Sequence, residues 1–476
     1  MESSASPSVQ PSSISSLPPE IVVVILHHLI TPHNRVLGRR YDDLIRTTLT
    51  TSYVRQVALA SPTLWTRIEI TDKPASFELA KACLNRSGSQ KLDVAIRIAI
   101  RVGPKIPGVF ALVNYVANRT RELRLQIGLG QSAQRSQLND FLATLELPAL
   151  ECLELDFWDP RETWLPTHPI PLPTGAAGLR SISLVHLRPI LPAPAISHLK
   201  HLSLSSAAFR KLPLKNVWEI LAQCDQLETL ELIGEGKTDI VRGWLPSDNQ
   251  GQQATLAPRL RCLTLKGLDS GSLAHVLLCL EAPVLVEVSL VILGFKDTWS
   301  ARYPWVESTA LRPIPSVSKL DITFPSRARD ITVTAPFPKF LHNTFPNIEH
   351  LSLPSGRAYP LLSFWADMWE DATALPGASC WPCLRRLTLV DSPEACELAC
   401  IEKLQLCRRF LTVRAKRALP TLENVSLNLC ADAKKSPQFE VWMDDGECAM
   451  DLPSLLRLVH YFIIPPNAMV HWMNET

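Results

Sequence analysis

Glycine is scarce in this chain, 18 residues among 476 against 39 prolines, so breaks between elements are made mainly by proline. There is no Gly-x-x-x-x-Gly-Lys-Ser/Thr phosphate loop, no Gly-x-Ser-x-Gly elbow and no His-Glu-x-x-His helix. The expectation is a protein that is not an enzyme and carries no cofactor. Charge of one sign is missing too. With 48 Lys+Arg, 46 Asp+Glu and a formal net charge of +2, the chain is neither a nucleic-acid binder working through a basic surface nor an acidic solvating chain. Its partners are expected to be proteins. Long apolar runs are also lacking. The most hydrophobic window, Leu273 to Phe295, is interrupted by His275, Glu281, Pro283 and Glu287, so it reads as a buried helix and strand and not as a membrane span.

The first sixteen residues are Ser- and Pro-rich and have neither a basic n-region nor an apolar h-region. They read as a disordered lead and not as a signal peptide. Twelve cysteines are sparse for this length, and many occupy apolar positions in periodic segments, where buried reduced thiols are the expectation. The expected setting is cytoplasmic and/or nuclear, without a membrane anchor.

What the chain does have is an apolar surplus near its start. Pro18 and Pro19 suit the first turn of a helix, whose N–H groups have no intrahelical acceptor, and Glu20 complements the positive end of the dipole. A helix is expected from near Leu17. Ile21, Val22, Val23, Val24, Ile25, Leu26, Leu29 and Ile30 then surround its axis, whereas a helix serving one core needs only a stripe. Roughly half of that surface calls for cover from outside its own domain.

Leu17-Pro18-Pro19-Glu20-Ile21, then Ile25-Leu26 and Leu29, then Leu44-Ile45-Arg46, Arg55-Gln56-Val57-Ala58 and Ser61-Pro62-Thr63-Leu64-Trp65, resembles the F-box of fungal, basidiomycete-type F-box-like proteins with leucine-rich repeats. Leu84-Asn85-Arg86-Ser87-Gly88-Ser89 with Leu92-Asp93-Val94 is similar to a segment that follows the F-box in many of them. Thr50-Thr51 stand where the family usually has Val-Cys, and Val54 where it usually has Trp. The resemblance implies a helical domain that docks on the Skp adaptor protein through Leu17, Pro18, Ile21, Ile25, Leu26 and Leu29, supported by Leu44, Val54, Leu64 and Trp65. Through that adaptor it would join a cullin–RING ubiquitin ligase.

A repeated pattern fills most of the remainder: apolar, Pro, any residue, then Leu-x-x-Leu-x-Leu. It recurs at Leu147-Pro148 with Leu150, Leu153 and Leu155, and at Ala257-Pro258 with Leu260, Leu263 and Leu265. Further copies start at Ala282-Pro283, Ile314-Pro315, Phe345-Pro346, Trp381-Pro382 and Leu419-Pro420, while copies lacking the proline start at Leu179, Leu199 and Leu227. A weaker start lies at Leu123 and Leu125, and a frayed end at Leu452-Pro453. Such repeats stack because one short strand cannot cover its own leucines, which reads as a leucine-rich-repeat solenoid. Proline fixes φ and turns the chain into the next strand. Val217, Ile220, Leu221 and Cys224 share one helical face, as do Leu273, Val276, Leu277 and Leu280, giving connecting helices over 216–224 and 272–281. Spacing is irregular. Leu184 to Leu204 spans 20 residues but Leu389 to Leu427 spans 38, with long loops at 233–256 and 293–315. The usual Asn or Cys after the last leucine is absent, Trp158, Leu187, Ala207 and Glu235 standing there instead, so no regular asparagine ladder is expected.

Cys380-Trp381-Pro382-Cys383 could be a redox pair or, with Cys396 and Cys400, a zinc site. The repeat already accounts for Pro382 and Leu384, and Cys396, Cys400 and Cys407 share an apolar face, so core packing without metal is the favoured reading. Lys403, Arg408, Arg409, Arg414, Lys416 and Arg417 read as a solvated helix face before a nuclear import or acidic-partner patch. His27, His28 and His33 read as an exposed rim.

The expected fold is α/β, an N-terminal helical F-box followed by an irregular leucine-rich-repeat solenoid, with residues 1–16 as the lead, 17–70 as the F-box-like domain and 71–476 as the solenoid. The expected function is that of a substrate receptor in a Skp–cullin–F-box ubiquitin ligase. Its target would meet the strand positions that alternate with the leucines, among them Glu154, Glu231, Thr264, Asp321 and Thr388. The competing reading is a non-catalytic repeat scaffold whose degraded F-box recruits no adaptor.

Overall fold

The computed structural model describes residues 14–30, 40–71, 73–98, 106–128, 132–158, 170–185, 189–190, 196–205, 214–234, 255–268, 273, 276–277, 279–292, 313–323, 336–353, 359–370, 381–390, 406, 409–414, 416, 419 and 422–428. The protein is of mixed α/β class and forms two compact units, 1–195 and 196–476. That division lies inside the stretch read as repeat; the N-terminal helices share a unit with the first strands.

The first unit opens with a 3-10 turn, Ile14–Ser16, inside the stretch expected to be disordered. Residues 1–13 lie outside the described residues. Helix α1 is Pro19–Ile30, α2 is Arg40–Thr48 and α3 is Ser52–Ala60. The Pro18 carbonyl accepts from Ile21 N at 3.1 Å and Val22 N at 3.2 Å, so the helix starts two residues after Leu17. Thr51 caps α3, its Oγ1 accepting from Val54 N at 3.1 Å. One departure from the family pattern therefore satisfies an otherwise orphaned helix N–H.

From there strands and helices alternate as far as β4: β1 Arg67–Thr71, α4 Pro74–Arg86, β2 Leu92–Ile98, α5 Ile106–Val116, β3 Thr120–Gly128, α6 Ser132–Thr144 and β4 Cys152–Trp158, after which comes β5 Ser181–Val185. The strands pair in chain order and all in parallel, which requires a crossover between each pair. Ile68, Val94, Leu123, Leu153 and Ile182 stand side by side, as do Ile70, Ile96, Leu125, Leu155 and Leu184, and all are buried. The start at Leu123 is thus a full strand of 9 residues.

The second unit repeats this arrangement. Its strands are β6 His201–Ser205, β7 Thr229–Ile233, β8 Cys262–Lys266, β9 Glu287–Val291, β10 Lys319–Thr323, β11 His350–Leu353, β12 Arg386–Val390 and β13 Asn424–Asn428. Each pairs in parallel with the next in chain order. One row of Cα partners runs Leu202, Leu230, Leu263, Val288, Leu320, Leu351, Leu387, Val425, so the pattern's second apolar position stacks on itself throughout. Described connecting helices are α7 Leu214–Leu221, α8 Pro336–Thr344 and α9 Tyr359–Glu370. Trp218, not among the face residues expected for α7, is buried with Leu221 and Cys224. Leu273, Val276 and Leu277 are buried as expected, but Leu280–Glu281 pairs with Thr255–Leu256 as a short strand. The loops 235–254 and 293–312 and the frayed end at Leu452-Pro453 lie outside the described residues.

Proline turns deliver the chain to several of the strands by the same contact. Leu260 N donates to Ala257 O at 3.3 Å, Leu285 N to Ala282 O at 3.2 Å and Leu384 N to Trp381 O at 3.0 Å, each across a turn whose second residue is Pro. Trp381 takes a positive φ of 39° and lies buried against Trp365 and Trp369, the latter in turn against Phe410. Its indole N–H donates to Phe345 O at 2.7 Å.

Candidate functional site

The three N-terminal helices divide their apolar residues into two sets. Val22, Leu26 and Ile30 of α1 are buried with Leu44 of α2 and with Val54, Val57 and Ala58 of α3. Beneath them the 3-10 turn Pro62–Trp65 buries Leu64 and Trp65. Trp65 is held on three sides. Its N–H donates to Ala58 O at 2.8 Å, its ring stacks on Tyr41 at 6.0 Å between centroids, and the Arg86 guanidinium lies 4.6 Å from its centroid. Tyr53 Oη donates to Leu17 O at 2.5 Å, which ties the segment before α1 to α3. At about 1.5–3 kcal/mol for each large apolar side chain buried, this set holds the helices together.

The other set faces water. Ile21 is 48% exposed, Val24 52%, Ile25 39% and Leu29 48%, and Ile45 and Leu49 on α2 and Leu59 on α3 are exposed as well. Exposed apolar residues scattered singly are ordinary, but four on one twelve-residue helix make a patch. Of the residues named for docking, Pro18, Ile21, Ile25 and Leu29 are exposed and Leu17 is half-buried. Leu26 is a correction: it lies in the helical core and cannot meet a partner. Leu44, Val54, Leu64 and Trp65, named as supports, are buried in that core as well. Val24, Ile45, Leu49 and Leu59, which are not among the residues named for docking, are exposed too, and for α1 exposure beside a buried stripe is what an all-round apolar helix signals.

The strand positions named for target binding also come together. In the second unit Ser203, Glu231, Thr264, Ser289, Asp321, Ser352, Thr388 and Ser426 are successive Cα partners, one row across the sheet. The row is not free acid. Glu231 accepts from Ser203 Oγ at 2.9 Å and pairs with Lys266, and Asp321 lies 3.5 Å from Lys319, which also meets Glu287 at 2.7 Å. Glu154, in the first unit, lies 3.5 Å from Arg124. Cross-strand ion pairs of this kind neutralise a face and fix its register.

No protein-family model matches the chain, and no curated protein matches it in sequence.

The remaining motifs find simpler places. Cys83, Cys224 and Cys279 are buried, and burial pushes the first and third thiols up to about 11 and Cys224 to about 12, so none is a nucleophile at neutral pH. Cys383 is exposed, which corrects the expectation of core packing at that position: the turn buries Trp381 instead. Cys380, Cys396, Cys400 and Cys407 lie outside the described residues, as do Lys403, Arg408, Arg417 and His33. Arg414 is a third correction. It is buried, and its guanidinium donates to Trp381 O and Leu384 O, both at 3.2 Å, so it braces the proline turn from inside. Arg409 is exposed and pairs with Asp367 and Glu370. His27 Nε2 lies 3.2 Å from Thr63 Oγ1 on the exposed side of α1. Among the described residues no group of three or more His, Cys, Asp or Glu side chains is placed to hold a metal ion, and no helix is long and apolar enough to cross a membrane.

Proposed function

We propose that this chain is the substrate-receptor subunit of a Skp–cullin–F-box ubiquitin ligase, with residues 17–70 as an F-box-like domain and the strands and helices beyond as a degenerate leucine-rich-repeat solenoid. The observation that carries this reading is the exposed apolar set Ile21, Val24, Ile25 and Leu29 on a helix whose opposite side already serves its own core. The departures from the resembled pattern, which favour the scaffold reading, leave that set in place: Val54 is fully buried, Thr51 is engaged as a helix cap, and Thr50 is exposed beside Leu49. The in-order parallel ladder of strand leucines supports the repeat assignment.

In this role the chain catalyses nothing. It holds a target near a ubiquitin-loaded enzyme and raises the local concentration of target lysines, making an encounter effectively intramolecular. The test is co-purification: the tagged full chain should retain the Skp adaptor, and an Ile21→Ser/Ile25→Ser/Leu29→Ser variant should not. Retention by the variant at wild-type strength would exclude docking by this face. If the wild type retains no adaptor, the scaffold reading replaces the ligase.

A further inference from the structure

In the second unit, among the described residues, the outward row Glu287, Lys319, His350 and Arg386 has its cross-strand ion pair at the β9–β10 end. Lys319, His350 and Arg386 are Cα partners on β10, β11 and β12, and two residues along Asp321, Ser352 and Thr388 are partners likewise. Six side chains of alternating strand positions therefore share one patch. Lys319 already meets Glu287 at 2.7 Å and Asp321 at 3.5 Å, so two carboxylates share one ammonium on the β9–β10 side. On the β12 side Arg386 is exposed, and no carboxylate among the described residues pairs with it. Its sequence neighbour Arg385 differs, lying 3.3 Å from Glu423.

Between the two sides sits His350, half-buried, its Nε2 hydrogen-bonded to Thr388 Oγ1 at 3.0 Å. The patch offers a guanidinium, an imidazole and two hydroxyls in a small area, a donor set that suits a carboxylate. We infer that His350, Arg386, Ser352 and Thr388 form a subsite that takes an aspartate or glutamate side chain from an acidic segment of a protein partner. This rests on reading the strand face as the target-binding surface and specifies the chemistry of that target.

His350 supplies a second signature. Burial holds its pKa below the ordinary histidine value; Lys319 and Arg386 push the same way, while Asp321 and Glu287 oppose them. Free His350 is thus neutral at pH 7. A carboxylate seated beside it favours the charged ring, so the complex takes up a proton and binding tightens as pH falls.

The probe is a fluorescein-labelled hexaglutamate peptide, followed by anisotropy at low ionic strength on the full chain, with hexaglutamine and an oligothymidylate as comparators. Wild type should bind hexaglutamate and not hexaglutamine. Arg386→Gln should weaken binding about tenfold, Asp321→Asn should tighten it by removing a repelling carboxylate, and Arg385→Gln should leave it within about twofold. His350→Gln should abolish the tightening between about pH 7.5 and pH 5.5. Thermal melts establish that each variant folds. The inference is overturned if wild type ignores hexaglutamate, if Arg385→Gln and Arg386→Gln weaken it equally, if Asp321→Asn does not tighten it, or if oligothymidylate binds more tightly through Arg386. Adaptor capture is read separately. Peptide binding without capture would sink the ligase reading alone, and capture without peptide binding would sink this inference alone.

Discussion

The leucines of β8 and two isoleucines of α1, Ile21 and Ile25, are equally apolar and meet opposite fates. Leu263 and Leu265 are fully buried, sandwiched between Leu230 and Leu232 of β7 and Val288 and Leu290 of β9. Ile21 and Ile25 remain in water although Val22 and Leu26, one residue along from each, are buried. The difference is one of closure. A strand presents one apolar face, and its neighbours on both sides cover it; a helix apolar all round needs neighbours on every side, and α2 and α3 cover only part of α1. The apolar residues of the strands are explained by folding. Those on the outer side of α1 are not, and the proposed docking on an adaptor would account for them.

Core truncation is the hardest test of that contrast. Leu263→Ala and Leu351→Ala should each destabilise the protein by about 2–5 kcal/mol in a denaturant titration, because both side chains are fully buried. Thr264→Ala and Ser352→Ala, on the opposite face of the same strands, should stay within about 0.5 kcal/mol. Equal losses at both kinds of position would mean that the two faces are not distinct.

Within α1 the same split should appear across a single turn. Leu26→Ala should cost about 2–5 kcal/mol, whereas Leu29→Ala should leave the melting transition nearly unmoved. A Leu29 variant as unstable as the Leu26 variant would show that Leu29 is covered in the folded chain and would remove the basis for a docking face.

How much of this was legible in the sequence follows from the same geometry. Strand positions from Leu153 onward can be read because a period of two leaves one choice of inward face and a proline turn or a leading leucine marks each start. β1 and β2 went unread because Ile68 and Ile70, and Val94 and Ile96, repeat the alternation without the proline or the leading leucine. The apolar excess of α1 could be read too, but not which of its residues face out. That depends on where α2 and α3 cross it, which no local period encodes. Arg414 was misread for a related reason: a basic run looks solvated unless buried carbonyls, here those of Trp381 and Leu384, wait for one of its members.

The helix cap gives a smaller effect. Thr51→Ala leaves Val54 N without its acceptor and should cost about 1 kcal/mol. Thr51→Ser should restore most of it, since Oγ alone makes the bond. If alanine and serine behave alike, the Thr at this position has no capping role, and its departure from the family pattern loses its structural account.

The smallest effect concerns pH and comes from the strand face. His350 has a folded pKa held below its unfolded value by burial, so the unfolded chain binds the proton more readily. The stability this histidine confers is therefore present above its unfolded pKa of about 6.5 and is lost as pH falls from there toward the lower folded value. Carboxylates with lowered pKa, such as Glu151 beside Lys91 and Glu228 beside Lys200, also lose their contribution in acid, but only near and below about pH 4.5. The two windows separate the causes. Melting temperature measured from about pH 7.5 down to about pH 5.5 should fall slightly for wild type and stay flat for His350→Gln. A decline of equal slope in both proteins would place the acid sensitivity at other histidines and leave His350 without a part in it.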